Sequence, residues 1–279
     1  MNKRIIIVLV LIFSFTTTKA LCQSVKAMTY NIKYDNTSDT INNWNFRKAK
    51  MAALIQHYSP SFLGIQEGLH NQVSYLDSNL PNYNYIGVGR DDGKQKGEYS
   101  AIYYNKNNFK VIKSNTFWLS TTPNKISVGW DAAMERICTY GLFQHKKTKQ
   151  YYWVFNAHFD HIGVEARKNS AKLIVEKIKN LNTKNYPVIL MGDFNVTPTT
   201  EAITTITNYI PDSYTNSLTT PYGPKGTFNG FTNRILDNRI DYVFAKNLNV
   251  LSVKVIDDRL DNNKHISDHL PVLATVIKE

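Results

Sequence analysis

Six short stretches of this chain carry groups able to hold a metal ion or move a proton: Tyr30-Asn31, Gln66-Glu67, Asn156-Ala157-His158, Gly192-Asp193-Phe194-Asn195, Arg239-Ile240-Asp241-Tyr242 and Ser267-Asp268-His269. Each lies at the end of an apolar, β-rich run, so its polar groups are expected at strand ends. A sheet that delivers carboxylates, amides and two imidazoles at its ends can gather them into one acidic pocket. Such a pocket suits phosphate-ester hydrolysis. A hard divalent cation such as magnesium takes oxygen ligands and keeps several waters. The attacking water needs a base or an orienting carboxylate, and the charge developing on the phosphoryl oxygens needs an imidazolium, an arginine or a metal beside it. Zinc is disfavoured, because His158 and His161 stand at a strand end rather than on a helix and Cys138 has no cysteine partner once Cys22 is lost with an expected signal segment.

The elements that must position these groups are mostly strands. Runs bounded by Asn, Gly, Asp and Pro cover Val25–Tyr30, Phe62–Gln66, Tyr99–Tyr104, Phe109–Leu119, Ile137–Gln144, Tyr151–Ala157, Val188–Met191, Ile240–Ala245, Val250–Val255 and Val272–Val276. That is more than one simple sheet accommodates. Helical periodicity is clear twice: Met51, Leu54 and Ile55 share a face of Arg47–His57, and Ala171, Ile174, Ile178 and Leu181 recur three or four apart in Val164–Leu181. Ile137–Gln144 and Tyr151–Ala157, joined by a Lys-rich turn, suit an antiparallel hairpin. The pattern predicts a mixed, mostly antiparallel sandwich with helices outside it. Neither a repeat nor a low-complexity linker divides residues 23–279, which are expected to form one domain.

Composition excludes other classes. With 42% hydrophobic residues, nine Pro and thirteen Gly, the chain is neither disordered, collagen-like nor disulfide-dense. Residues 1–22 have the anatomy of a secretory signal: basic Lys3 and Arg4, then Ile5 to Phe15 with Ser14 its one polar member, then a short polar stretch. The apolar run is too short to span a bilayer, so no stable membrane insertion is expected. Cleavage after Cys22 makes the protein secreted or periplasmic. A lipid anchor on Cys22 is the lesser alternative, because Leu21 and Lys19 occupy places where a lipobox has a small and an aliphatic residue. The net charge of +11 falls to +8 without Lys3, Arg4 and Lys19, leaving 30 Lys and Arg against 22 Asp and Glu. This balance suits an anionic partner without choosing among them.

In order and spacing, the six stretches resemble the endonuclease/exonuclease/phosphatase superfamily, whose members include deoxyribonuclease-I-like enzymes, over essentially all of residues 25–277. The resemblance implies a four-layer α/β/β/α sandwich: two mixed, mostly antiparallel sheets flanked by helices. It implies a metal-dependent phosphoesterase with Mg2+, or Mn2+ or Ca2+ as substitutes. In that frame Glu67 is the principal metal ligand, Asn31 holds a metal-bound phosphate or water, and Asp268 sits near the metal. Asp193 orients or deprotonates the attacking water, Asn195 donates to a phosphate oxygen, and His269 is placed against the phosphate with Asp241 fixing its tautomer. His158 faces the phosphate from the opposite side, with Glu98 as its orienting carboxylate, and Arg136 contacts the phosphate.

One position departs from the pattern. Abasic-site endonucleases of the superfamily carry a carboxylate two residues after the first Asn, where this chain has Lys33. That argues against DNA repair, as does the export signal. The segments around Arg90, Glu98, Trp118 and Trp130 resemble a secreted bacterial branch of the family, and Trp130 is positioned to stack on a sugar or a base. The expected partner is a small phosphorylated substrate, with nucleic acid as the alternative. A phospholipid or sphingomyelin substrate wants a strongly apolar loop, which Pro221–Phe231 is not, and a non-catalytic binding module would have shed acids or imidazoles that are all present.

Overall fold

The computed structural model describes residues 23–278, so the expected signal segment and Cys22 lie outside the described residues. In chain order the elements are β1 (Val25–Asn31), α1 (Trp44–Tyr58), β2 (Phe62–Gln66), α2 (His70–Asn79), β3 (Tyr83–Ile86), β4 (Ile102–Asn105), β5 (Phe109–Trp118), β6 (Ile137–His145), β7 (Tyr151–His158), α3 (Val164–Leu181), β8 (Val188–Asp193), α4 (Glu201–Thr207), β9 (Asp241–Lys246), β10 (Asn249–Val255) and β11 (Val272–Ile277). One sheet has the order β10-β11-β1-β2-β4-β3 and the other β5-β6-β7-β8-β9. The β1–β2 and β7–β8 pairs are parallel and the remaining neighbours antiparallel.

Three apolar layers make this a four-layer sandwich. Between the sheets, Ala27, Phe62 and Val272 meet Val154, Ile189, Met191 and Val243. Outside the first sheet, Met28, Leu63 and Ile65 pack on Met51 and Ile55 of α1 and Val73 and Leu76 of α2. Outside the second, Phe155, Leu190 and Phe244 pack on Ala171, Ile174 and Ile178 of α3 and Ile203 and Ile206 of α4. Strands buried on both faces explain the near-continuous apolar runs of β2 and β8.

The sheets are also joined by a polar pin. Asn156 on β7 is fully buried. Its Nδ2 donates to the carbonyls of Ile65 (2.8 Å) and Ala101 (2.9 Å), and its Oδ1 accepts from Gln66 Nε2 at 2.6 Å. Gly64 must be glycine here, because a Cβ at that position would lie 2.7 Å from Asn156 Cγ. Of the six stretches, the Asn156 amide therefore holds the frame rather than the substrate.

Several elements differ from the expectation. Helix α1 starts three residues before Arg47, since the Asn43 side chain accepts from Asn45 N and caps it. Helices α2 and α4 and strand β3 carry too few apolar residues to show a period; α2 buries Val73 and Leu76, and α4 buries Ala202, Ile203 and Ile206. The run from Tyr99 begins as a strand only at Ile102, because Tyr99 makes isolated bridges to Gly68 and Gly89 instead. Among the described residues no helix is long and apolar enough to cross a membrane.

Candidate active site

Strand register assembles the site. His158 pairs with Asp193 across β7–β8, and Asp193 pairs with Asp241 across β8–β9, so three adjacent strands present a polar side chain at one level. In the other sheet Asn31 ends β1 and Glu67 follows β2. Asp268 and His269 precede β11, tied to β1 by the Ser267 hydroxyl, which donates to Asn31 O at 2.7 Å. The site thus spans one end of both sheets. Glu67, Lys33 and Asn195 have φ of 62°, 55° and 53°. Left-handed backbone is costly for non-glycine residues and persists where surrounding contacts fix it.

Asn31 lies at the centre. Its Nδ2 donates to Glu67 Oε1 (3.0 Å) and Asp193 Oδ2 (2.9 Å), with His269 Nε2 3.5 Å away, while its Oδ1 accepts from Lys33 N at 3.1 Å. Because a backbone N–H can point only at oxygen, the amide nitrogen must face the acids. Both Asn31 amide hydrogens are thus spent on carboxylates, so a phosphate or water oxygen would have to take the place of one of them.

His269 stands between two carboxylates. Its Nδ1 is 2.9 Å from Asp241 Oδ2 and its Nε2 is 3.7 Å from Asp193 Oδ2. Burial lowers the imidazole pKa, but Asp241 and Asp193 outweigh it and raise it to about 10. Asp193 is itself raised to about 7, first by burial and then by the Asp241 charge. Asp193 Oδ1 is kept in place by the backbone N–H of Asn195 at 2.9 Å. Asn195 Nδ2 donates to Phe159 O at 3.0 Å, so one amide donor is committed to the frame.

On the Glu67 side of Asn31, Lys33 Nζ lies 3.2 Å from Glu67 Oε2 and 3.5 Å from Asp268 Oδ2. Burial would raise the Glu67 carboxyl, but Lys33, His269 and hydrogen bonds from Asn31 and Tyr34 N hold it below its ordinary value. The Asp268 carboxyl is raised, first by burial, against the lowering pull of His269 and Lys33. Four carboxyl groups, Glu67, Asp193, Asp241 and Asp268, therefore face two cations, Lys33 and His269. Asp241 Oδ1 is buried without a hydrogen-bond partner. One ligand atom each of Asp193, Asp241 and His269 lie within 4.8 Å of one another. Oxygen-rich donors in charge excess fit a hard divalent cation.

His158 occupies the opposite wall. Its Nε2 is 3.0 Å from Arg136 Nη1 and 3.7 Å from Asp193 Oδ2; its Nδ1 is 3.7 Å from Glu98 Oε2. Arginine can only donate, so Nε2 accepts and the ring proton sits on Nδ1, toward Glu98. Burial, then the charges of Arg136 and Arg90, push the His158 pKa well below its ordinary value. Glu98 is close to His158 but its hydrogen bonds go to Arg90, whose two terminal nitrogens each lie 2.8 Å from one carboxylate oxygen. Arg136 is 4% exposed and also reaches His161 Nδ1 (2.9 Å) and Asp160 Oδ2 (3.3 Å).

The structure brings together every expected site residue except Trp130. That residue is 38% exposed, in the left-handed region at φ 50°, and among the described residues has no hydrogen bond to the cluster. Its neighbour Asp131 accepts from Glu165 N and Ala166 N, which ties the Trp130 loop to the start of α3. Asp160 and Arg47 were not expected at the site. Arg47 is 1% exposed and donates to the carbonyls of Asn42, Ile32, Ile266 and Lys33 at 2.7 to 3.2 Å, joining the segment after β1 to the segment before His269. Its signal was visible: Arg47 precedes Met51 by four and so lies on the apolar face of its helix.

The fold and this constellation define a phosphoester-hydrolysing enzyme, and comparison with known proteins agrees. The model of the Endonuclease/Exonuclease/phosphatase family matches residues 28–269. The chain belongs to that family. It is 30% identical over 253 residues to a protein of Acanthamoeba polyphaga mimivirus, covering 84% of this chain and 92% of the relative. Among solved structures, a family member from Bacteroides vulgatus is 39% identical with a TM-score of 0.87, covering 92% of this chain and all of the other. A mannosyl-6-phosphatase from Bacteroides thetaiotaomicron is 38% identical with a TM-score of 0.87, covering 90% and 99%. The human Nocturnin catalytic domain, 19% identical at a TM-score of 0.73, shares the fold.

Proposed function

We propose that this protein is an exported, magnesium-dependent phosphatase acting on a small phosphomonoester, with a hexose 6-phosphate as the preferred class. Residues 1–22 serve as its signal peptide and residues 23–279 as its single catalytic domain. The observation that carries the reading is the Asp193 carboxyl held between two imidazoles beside an acid-rich wall. The similarity to a mannosyl-6-phosphatase along nearly the whole chain supports the substrate class.

Glu67 and Asp268 would hold the magnesium ion. When bound, the ion supplies Lewis-acid stabilisation of charge on the phosphoryl oxygens. Asp193, raised toward neutrality, orients the attacking water and takes its proton as the water oxygen bonds to phosphorus, while the bond from phosphorus to the sugar oxygen breaks and the departing alkoxide takes a proton from solvent. Protonated His269 donates from Nε2 to a phosphoryl oxygen while Asp241 holds the Nδ1 proton. Asn31 exchanges one of its two carboxylate bonds for a phosphate or water oxygen, and one Asn195 amide hydrogen remains for the phosphate. Arg136 sets the His158 tautomer and places a guanidinium charge on that wall.

The test is hydrolysis by the purified protein with magnesium of hexose phosphates, nucleotides, RNA, plasmid DNA and sphingomyelin, each with a chelator control. Chelator-sensitive phosphate release from a hexose 6-phosphate is expected. Cleavage confined to nucleic acid or lipid would overturn the substrate class, and full activity in chelator would overturn the metal requirement.

A further inference from the structure

The acid pair that would hold the metal already faces a cation belonging to the chain. Lys33 Nζ stands 3.2 Å from Glu67 Oε2 and 3.5 Å from Asp268 Oδ2, with 30% of the lysine side chain exposed and 12% and 9% of the two acids. This is not a surface lysine that has drifted onto a carboxylate. Its backbone is in the left-handed region, which is unfavourable for a lysine, and three contacts hold it there. Its N–H donates to Asn31 Oδ1 at 3.1 Å, and its carbonyl accepts from Gln72 Nε2 at 2.9 Å and Arg47 Nη2 at 3.2 Å. Gln72 and Arg47 are both buried. Two buried side chains from two helices thus fix the direction in which Lys33 leaves the main chain. The ring of Tyr34, 4.6 Å from Nζ, flanks the ammonium.

The geometry points to Lys33 as an internal counter-cation of the Glu67–Asp268 pair, a residue that competes with the divalent ion and sets its affinity. The inference rests on the metal-dependent reading above. A charge this close to both carboxylates in a mostly buried pocket acts through a dielectric well below that of water. An arriving divalent ion must displace the ammonium, whose flexible four-carbon stem lets it move away without disturbing the pinned backbone. The competition keeps ion binding weak and exchangeable, and it disfavours two ions sharing the pair. Lys33 is a positioning residue in this role, because it acts on the ion through Glu67 and Asp268.

Manganese titration of the purified protein, with free Mn2+ followed by its paramagnetic resonance signal, tests this without any turnover. Lys33→Met is expected to bind Mn2+ on the order of ten-fold more tightly than the wild type, or to take up a further equivalent. Lys33→Arg, which keeps the charge, is expected to stay within about two-fold of wild type. A tighter single site cannot come from misfolding, which could add only weak sites on exposed carboxylates. Unchanged or weaker Mn2+ binding by Lys33→Met, with the wild type binding normally, would overturn the inference alone. Absence of Mn2+ binding in every variant and in the wild type would overturn the metal-dependent reading and this inference with it.

Discussion

Asp241 Oδ2 lies 2.9 Å from His269 Nδ1, and both side chains are buried, with the opposite ring nitrogen turned toward Asp193. The pair fixes which nitrogen faces Asp193. Asp241 comes from the start of β9 and His269 from the segment before β11, so the contact joins the two sheets at the pocket.

Replacing Asp241 by Asn removes the charge that keeps His269 protonated. Turnover is expected to fall by roughly 10²- to 10⁴-fold. In the wild type His269 titrates near 10, so its proton is present at neutral pH and lost as pH rises through 10. In Asp241→Asn the alkaline limb of the pH–rate profile should move to lower pH. A profile that keeps its wild-type alkaline limb would contradict this role.

Asp193 gives a stability prediction of defined sign. Its folded pKa of about 7 lies above the ordinary value of 3.8, through burial and the Asp241 charge. Stability from this group is therefore fully present below pH 3.8 and lost as pH rises through 7. Asp193→Asn should be inactive yet more stable than wild type at pH 8, by about 1–3 kcal/mol. The gain should shrink toward pH 4. Urea unfolding of both proteins at the two pH values, in chelator, checks both parts; a variant less stable at pH 8 would refute the prediction.

Arg47 makes four hydrogen bonds to main-chain carbonyls from a fully buried position. Arg47→Met leaves those carbonyls without donors, and about 3 kcal/mol of stability should be lost. Arg47→Lys should recover little, because an ammonium cannot reproduce the guanidinium fork. Denaturation midpoints compare the three proteins, and a Lys variant equal to wild type would show that charge alone suffices.

Cys138 is buried on β6 and its thiol pKa is pushed far up by burial. A thiol-directed disulfide reagent should leave it unmodified in the folded protein and react at once after unfolding in denaturant. Rapid modification of the native protein would contradict the packing of β6.

Much of the site was legible because the groups that do chemistry interrupt apolar runs. Glu67, His158 and Asp193 are marked by the strands they terminate, and their identities alone suggest a divalent cation and a phosphoester. The expected orienting contact of Glu98 with His158 was only half legible. The two are near, but Arg90 takes the carboxylate's hydrogen bonds, and nothing in the spacing of Arg90 and Glu98 announces a bidentate pair. Lys33 was visible as a departure from a family pattern, whereas its placement between Glu67 and Asp268 depends on a main-chain turn held by Arg47 and Gln72.

From the sequence alone follow the sandwich of strands with outer helices, the inventory of acids and imidazoles, and the class of reaction they serve. Hydrophobic period and residue chemistry are local properties that need no partner to be read. Tertiary structure alone decided which nitrogen of His269 faces Asp193, that Asn31 turns its amide nitrogen to the acids, that Asn156 is a pin between sheets, and that helices α2 and α4 exist. Each depends on atoms brought together from distant parts of the chain, where burial and a fixed hydrogen-bond partner choose one orientation that the isolated segment would not prefer.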